Sequence, residues 1–356
     1  MSKVHNFSAG PSILPEEVIL QAAEAVRSFD GMGLSLIEIS HRSKNFEAVM
    51  SEARQLVKDI LNLPTRYEVL FLQGGATLAF HMVAQNLMRE NGTAAYVNTG
   101  VWAAGAIKDA KVTGLVDIIG DSSDKNHSYI PSFEVPRDAD YFHYTSNNTI
   151  FGTQFHVLPE SPVPMVCDMS SDIFSREFDA SKFGLIYAGA QKNMGPAGAT
   201  LFVIDPELLD KTGRKLPSYL NLKAHIEKDS MSNTPPVFAV YTSMLTLRWV
   251  RENGGLSGME TRNRAKQELF YAELDRNALF EGHSVPQDRS WMNATFRLRD
   301  EALAADFDRL WKEAGISGIK GHRSVGGYRA SMYNALPIES VKVLTDVMNE
   351  FERTKG

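Results

Sequence analysis

Tyr187-Ala188-Gly189-Ala190-Gln191-Lys192-Asn193-Met194-Gly195-Pro196 continues an apolar run that begins at Phe183. The segment from Phe183 to Ala188 reads as a buried strand, and it delivers one lysine into a stretch of small residues where a large group can approach the backbone. A second short apolar run, Val163 to Cys167, ends in Asp168, which lies 24 residues before the lysine (192 − 168). One amine and one carboxylate at the ends of neighbouring buried strands meet the demands of a pyridoxal phosphate site. The amine holds the cofactor as a Schiff base, and the carboxylate keeps its pyridine nitrogen protonated. Spacing alone equally allows a Lys–Asp ion pair at a strand edge. The surrounding residues decide between the two.

Working outward from the lysine, short strand-like runs alternate with helical patterns from about residue 16 to 255, the mark of an α/β protein with a mainly parallel sheet. Pro15-Glu16-Glu17 opens a helix, since proline suits its first turn and acidic side chains its positive end. Val69-Leu70-Phe71-Leu72 is a strand, and Gly74-Gly75-Ala76-Thr77 turns the chain into a helix. Ala95-Tyr96-Val97 is the next strand, followed by a glycine turn and a helix that carries Trp102. Asp140 to Tyr144 is a further strand, ending in Thr145-Ser146-Asn147-Asn148-Thr149. Leu201-Phe202-Val203-Ile204 is close enough to the lysine strand to pair with it as a hairpin through Gly195-Pro196-Ala197-Gly198. Near Asn253-Gly254-Gly255 the composition shifts. A charged helix from Met259 to about Asn277 then leads to a smaller unit with a strand at Ala294–Leu298. Ile338, Val341, Leu344, Val347, Met348 and Phe351 give the final helix one apolar face.

The 356 residues suffice for two domains, and 43% apolar with 22% charged residues is ordinary for a soluble protein. A net charge of −6 argues against nucleic acid or an anionic membrane as partner. One cysteine, Cys167, excludes an internal disulfide and suits a reducing compartment. Its apolar neighbours make it a structural thiol. Met1-Ser2-Lys3-Val4-His5-Asn6-Phe7 lacks the apolar stretch of a signal peptide, and no run approaches the ~20 residues that span a bilayer. A cytoplasmic location is expected.

Gly74-Gly75 at a strand-to-helix turn exposes N–H groups able to hold a phosphate, although such pairs are often only turns. There is no Walker loop, since Gln191 precedes Lys192 where that motif has glycine. Trp102 reads either as a core residue or as an indole face for a planar ring. Thr149 either closes a turn or bonds a phenolic oxygen. Histidine and carboxylate spacings offer no metal site. Ser40-His41-Arg42-Ser43-Lys44 and Gly321-His322-Arg323-Ser324-Val325-Gly326-Gly327-Tyr328-Arg329 are basic clusters suited to carboxylate or phosphate, or to plain solvation.

Taken together, these segments resemble the phosphoserine aminotransferase family, within the class V aminotransferases of the fold-type I pyridoxal phosphate enzymes. Further matches are Asn6-Phe7-Ser8-Ala9-Gly10-Pro11, Glu38-Ile39-Ser40-His41-Arg42 and Asn233-Thr234-Pro235-Pro236, so the likeness runs nearly end to end. It implies a large domain built on a mainly parallel seven-stranded sheet flanked by helices, plus a smaller α+β C-terminal domain. The implied division is an N-terminal segment, 1–15, packing near the active site, a cofactor domain, 16–257, and a small domain, 258–356. By the same resemblance Lys192 would bear the Schiff base, Asp168 would pair with the pyridinium, Trp102 would stack on the ring and Thr149 would bond the phenolic oxygen. Ala76, Thr77 and Gln191 would hold the cofactor phosphate, joined by Asn233 and Thr234 from a second subunit of a homodimer. Arg329 would grip the substrate α-carboxylate. His41 and Arg42 of the partner chain, with His322 and Arg323, would receive a distal phosphate or carboxylate. Some members carry arginine where this chain has Thr77, and some carry serine at Ala9.

The resemblance implies amino transfer from L-glutamate to 3-phosphohydroxypyruvate, giving O-phospho-L-serine and 2-oxoglutarate for serine biosynthesis. Some relatives also process 4-phosphohydroxythreonine for pyridoxine. Rival readings are another class V aminotransferase, such as a serine–glyoxylate type, and a binding protein that keeps the fold without catalysis. A cysteine desulfurase fits poorly, because the one thiol stands beside Asp168.

Overall fold

The computed structural model describes residues 4–356. Residues 1–3 of the expected N-terminal segment lie outside it. Seven strands form the main sheet, in the order Glu68–Leu72, Thr200–Ile204, Phe183–Gly189, Met165–Asp168, Phe142–Thr145, Thr93–Asn98, Leu115–Asp121. Thr200–Ile204 runs antiparallel to both neighbours, and the expected hairpin is present, with Thr200 opposite Gly189 and Leu201 opposite Ala188. The other pairings are parallel.

Alternation along these strands separates two buried layers. Val69, Phe71, Val97, Phe142, Tyr144, Cys167 and Ile186 face one layer with helices Glu16–Arg27, Lys44–Ile60 and Val237–Glu252. Leu70, Leu72, Tyr96, Val166, Leu185 and Tyr187 face the other, with Gly75–Leu87 and Val101–Ala110. Helix Lys44–Ile60 shows how its sequence selects it. Ser43 caps it by accepting from the Phe46 N–H at 3.4 Å, and Phe46, Val49, Met50, Ala53, Leu56 and Val57 form its buried stripe. Each larger side chain in that stripe contributes about 1.5–3 kcal/mol of burial.

A second unit surrounds the antiparallel strands Phe280–Gly282, Asn293–Leu298 and Tyr328–Ser331. Helix Gly255–Arg276 crosses the expected junction at 257, with Met259 in the large core and Phe270, Tyr271 and Leu274 in the small one. It begins four residues before the expected Met259, because Gly254 and Gly255 form its left-handed start. The N-terminal segment ties the units together. Phe7 is buried in the small core, and His5–Asn6 pair in parallel with Ile316–Ser317. Among the described residues no helix is long and apolar enough to cross a membrane.

Candidate active site

Because the strands bearing Asp168 and the lysine loop are parallel neighbours, their carboxyl ends open on the same edge of the sheet, where α/β folds place ligands. Asp168 closes its strand opposite Tyr187, and Lys192 follows three residues after Gly189. Both line a cavity of about 340 Å3 together with Ala9, Gly10, Gly75, Ala76, Thr77, Trp102, Thr149, Ser170, Gln191, His322 and Arg329. Larger clefts of about 990 and 590 Å3 open elsewhere, and neither contains this amine–carboxylate pair, so size does not locate the chemistry here.

Burial lowers the Lys192 amine to about 8. Nearby Asp168 opposes that shift, and the Arg329 guanidinium adds to it. The Nζ donates to Thr149 Oγ1 at 3.1 Å and lies 5.8 Å from the centroid of the Trp102 ring. Trp102 is 38% exposed on the first turn of its helix, so it is not a core residue. Burial raises the Asp168 carboxyl, while Lys192 and the Ser170 N–H, which donates to Oδ1 at 2.9 Å, hold it down.

Helix Gly75–Leu87 contributes its first turn, Gly75 to Thr77, to the cavity lining. Gly74 is at φ 100, and a Cβ there would lie 2.4 Å from Leu78 Cδ2. Gly75 is at φ 65 with open space where a side chain would start, and it lines the cavity with Ala76 and Thr77, so the first turn brings its free N–H groups to the cavity. Arg329 enters from the small unit. Its Nη1 donates to the Thr149 carbonyl at 3.3 Å, and its buried Nε has no partner.

Not every expected residue comes to this cavity. Arg323 is exposed on the neighbouring loop, where His322 Nδ1 sits 2.8 Å from Ser324 Oγ. His41 and Arg42 lie at the start of helix Lys44–Ile60 and do not line the cavity of their own chain, and Arg42 is exposed. Asn233 donates to Gln73 Oε1 at 3.1 Å, and Gln73 Nε2 donates to the Thr234 carbonyl at 2.8 Å. That loop is thus attached beside the start of helix Gly75–Leu87 but outside the cavity.

Sequence reasoning passed over Ser12, Ser170 and Tyr333. Ser12 Oγ donates to the Lys192 carbonyl at 2.6 Å, and Tyr333 OH donates to the Ala9 carbonyl at 2.8 Å. Together they strap the N-terminal segment over the lysine loop. A signal for Ser12 existed in its position just after the Ala9-Gly10-Pro11 run. Cys167 is buried and free, and burial pushes its thiol well above the ordinary range. Among the described residues no three His, Cys, Asp or Glu side chains cluster as metal ligands.

This arrangement of a neutralisable buried amine, a buried carboxylate and a helix start is that of a fold-type I pyridoxal phosphate enzyme, and residues 4–344 match the Aminotransferase class-V family model. The phosphoserine aminotransferase of Flavobacterium johnsoniae is 60% identical over 352 residues, covering 98% of this chain and 99% of that one. That of Bacteroides fragilis is 53% identical over 354 residues, covering 99% of each. Among solved structures, phosphoserine aminotransferase from Bacillus circulans subsp. alkalophilus superposes with a TM-score of 0.97 at 42% identity, covering 100% of both chains. A PLP-bound phosphoserine aminotransferase from Trichomonas vaginalis gives 0.92 at 33% identity, over 98% of this chain and 100% of the other. The chain belongs to the class V aminotransferases and, within them, to the phosphoserine aminotransferase family.

Proposed function

We propose that this chain is a pyridoxal phosphate enzyme that transfers the amino group of L-glutamate to 3-phosphohydroxypyruvate, giving O-phospho-L-serine and 2-oxoglutarate for serine biosynthesis. The observation that carries the reading is the Lys192–Asp168 pair, brought into one cavity at the ends of adjacent strands. The residues present fit the cofactor. The open helix start at Gly75 suits a phosphate, the Trp102 ring a planar heterocycle, and the amine near neutrality a covalent anchor. Bound there, pyridoxal phosphate would supply an electron sink for the negative charge that develops at the substrate Cα.

The chain's own groups do the rest. Lys192 would hold the cofactor and, when free, would move a proton at the substrate Cα; an amine lowered to about 8 is matched to that task at neutral pH. Asp168 would keep the ring nitrogen protonated, and the Ser170 N–H fixes one of its carboxylate oxygens. Thr149 would bond the ring oxygen, and Ala76, Thr77 and Gln191 would receive the phosphate. The unpartnered Nε of Arg329 completes a fork for the α-carboxylate common to both substrates.

His322 and Arg323 receive the distal group, joined by His41 and Arg42 of a second copy, while Asn233 and Thr234 of that copy reach the cofactor phosphate. Exposed Met32, Leu34 and Ile37, on the segment leading to His41, and exposed Phe238, five residues past Asn233, support the homodimer. On this reading the division at 257 is functional: 16–257 holds the cofactor, 258–356 brings Arg329, and Ser12 of the segment 1–15 closes over the lysine. We place the enzyme in the cytoplasm, where the buried Cys167 stays a thiol.

The experiment is a comparison of kcat/KM for 3-phosphohydroxypyruvate and unphosphorylated hydroxypyruvate with L-glutamate as donor. Each charge-assisted bond to the phosphate contributes about 1.5–3 kcal/mol, or about tenfold to hundredfold in kcat/KM. Arg42→Ala and Arg323→Ala lose that much preference for the phosphorylated acid, whereas Arg329→Ala weakens both acids alike. An unchanged ratio in both distal variants overturns the distal assignment. A wild-type enzyme without preference points to another class V aminotransferase.

A further inference from the structure

Asn193 stands one residue beyond Lys192, and the proposed chemistry gives it no task, yet it is 4% exposed and bonded on two sides. Its Oδ1 accepts the backbone N–H of Asn334 at 3.0 Å, and its Nδ2 donates to the Ser171 carbonyl at 3.3 Å. Ser171 is three residues past Asp168, and Asn334 is five residues past Arg329. The side chain therefore touches the three segments that deliver the amine, the ring-nitrogen partner and the carboxylate fork.

The groups around it form one buried polar junction between the two units. Asn334 Nδ2 donates to the carbonyl of Phe174 at 2.8 Å, and Asn263 Nδ2 donates to Asn334 Oδ1 at 2.8 Å and to the Ser175 carbonyl at 2.9 Å. Phe174 is a fully buried phenylalanine at φ 58, a conformation that a bulky residue keeps only when its surroundings impose it. Lys266 is buried without a carboxylate partner and donates to the carbonyls of Met332 and Tyr333 at 2.8 and 2.6 Å. So the segment after Arg329 is held by side chains of helix Gly255–Arg276, while its link to the lysine loop is the Asn193 carboxamide.

We infer that Asn193 is a positioning residue for transamination, fixing the Lys192 loop against both the Asp168 segment and the Arg329-bearing unit. The inference rests on the reading of Lys192 as the cofactor-binding amine. Donor and acceptor are both needed, and a carboxamide supplies them in one plane. Without them the amine remains in the cavity but its register with the ring-nitrogen partner is lost, and misplacement on that scale is costly to a proton transfer.

The test uses purified wild-type, Asn193→Ala and Asn193→Asp proteins in holo and apo forms. In Asn193→Ala the single-turnover rate with saturating L-glutamate falls roughly tenfold to hundredfold, the size of a lost buried bond pair. The pH midpoint of the bound-cofactor absorbance moves by about half a unit or more, because the neighbours of the amine have shifted. In the apoprotein the Asn334 amide exchanges its hydrogen at least about tenfold faster, since its acceptor is gone. Asn193→Asp provides the rescue. Burial raises its carboxyl pKa, so as pH falls it becomes a neutral acid with the donor and acceptor of asparagine, and its rate relative to wild type climbs.

A wild-type single-turnover rate and absorbance midpoint in Asn193→Ala overturn the inference, even if thermal stability drops. Should Asn193→Ala fail to fold, Asn193→Asp decides alone, and a pH-independent ratio to wild type overturns the proposal. If the wild type itself neither binds pyridoxal phosphate nor transaminates, the functional reading fails instead, so the two failures are distinguishable.

Discussion

At the scale of single residues, the Lys192 amine is where electrostatics and the proposed chemistry meet. Its value in the fold, about 8, is below that of an ordinary lysine, so folding favours the neutral form. The apoprotein therefore carries the full penalty of burying a cation below pH 8 and loses it as pH rises toward the ordinary lysine range. Apoprotein stability should rise between about pH 8 and 10 in urea titrations. Lys192→Met should be more stable than wild type at pH 7 by about 1–3 kcal/mol and lack that rise. Equal pH profiles for the two proteins would show that the amine is not desolvated. The same titration sets the rate of cofactor uptake, which should increase about tenfold per unit up to pH 8 and then level off, because only the neutral amine is nucleophilic.

At the scale of elements, the helix start at Gly75 makes a separable prediction. An alanine there meets no atom but must hold φ 65, which costs about 1–2 kcal/mol and strains the turn that lines the cavity. Gly75→Ala should release cofactor on dialysis at least about tenfold faster than wild type while keeping its fold by circular dichroism. Retention equal to wild type would remove the helix start from phosphate binding. This turn was legible in the sequence, as were the buried strands on either side of the lysine, because continuous apolar runs bounded by glycine or Asp168 admit few alternatives. Leu115–Asp121 was not, since it is a mostly exposed edge strand with a bulge and mixed polarity. Nor was Lys44–Ile60, whose cap residue Ser43 lies inside the basic cluster Ser40–Lys44, a pattern that also suits an anion site. Arg323 illustrates a different limit: which of the two adjacent side chains, His322 or Arg323, lines the cavity of a single chain depends on loop geometry that residue type does not encode.

At the scale of the whole molecule, a single chain presents the amine, the carboxylate and the Arg329 fork, whereas His41, Arg42, Asn233 and Thr234 lie outside its own cavity. On the proposed reading a second copy supplies them. Mixing inactive Lys192→Ala with impaired Arg42→Ala subunits, assayed at low 3-phosphohydroxypyruvate, should bring activity up to about a quarter of wild type, since random pairing makes half the dimers hybrid and each hybrid has one intact site. No recovery in demonstrated hybrids would argue against sharing. The central claim, that Lys192 is the amine that carries pyridoxal phosphate, is tested most directly by borohydride reduction of the yellow holoprotein followed by peptide mass mapping. The account predicts one reduced cofactor adduct, on Lys192. An adduct on any other lysine, or none in a protein that retains the cofactor, would contradict it.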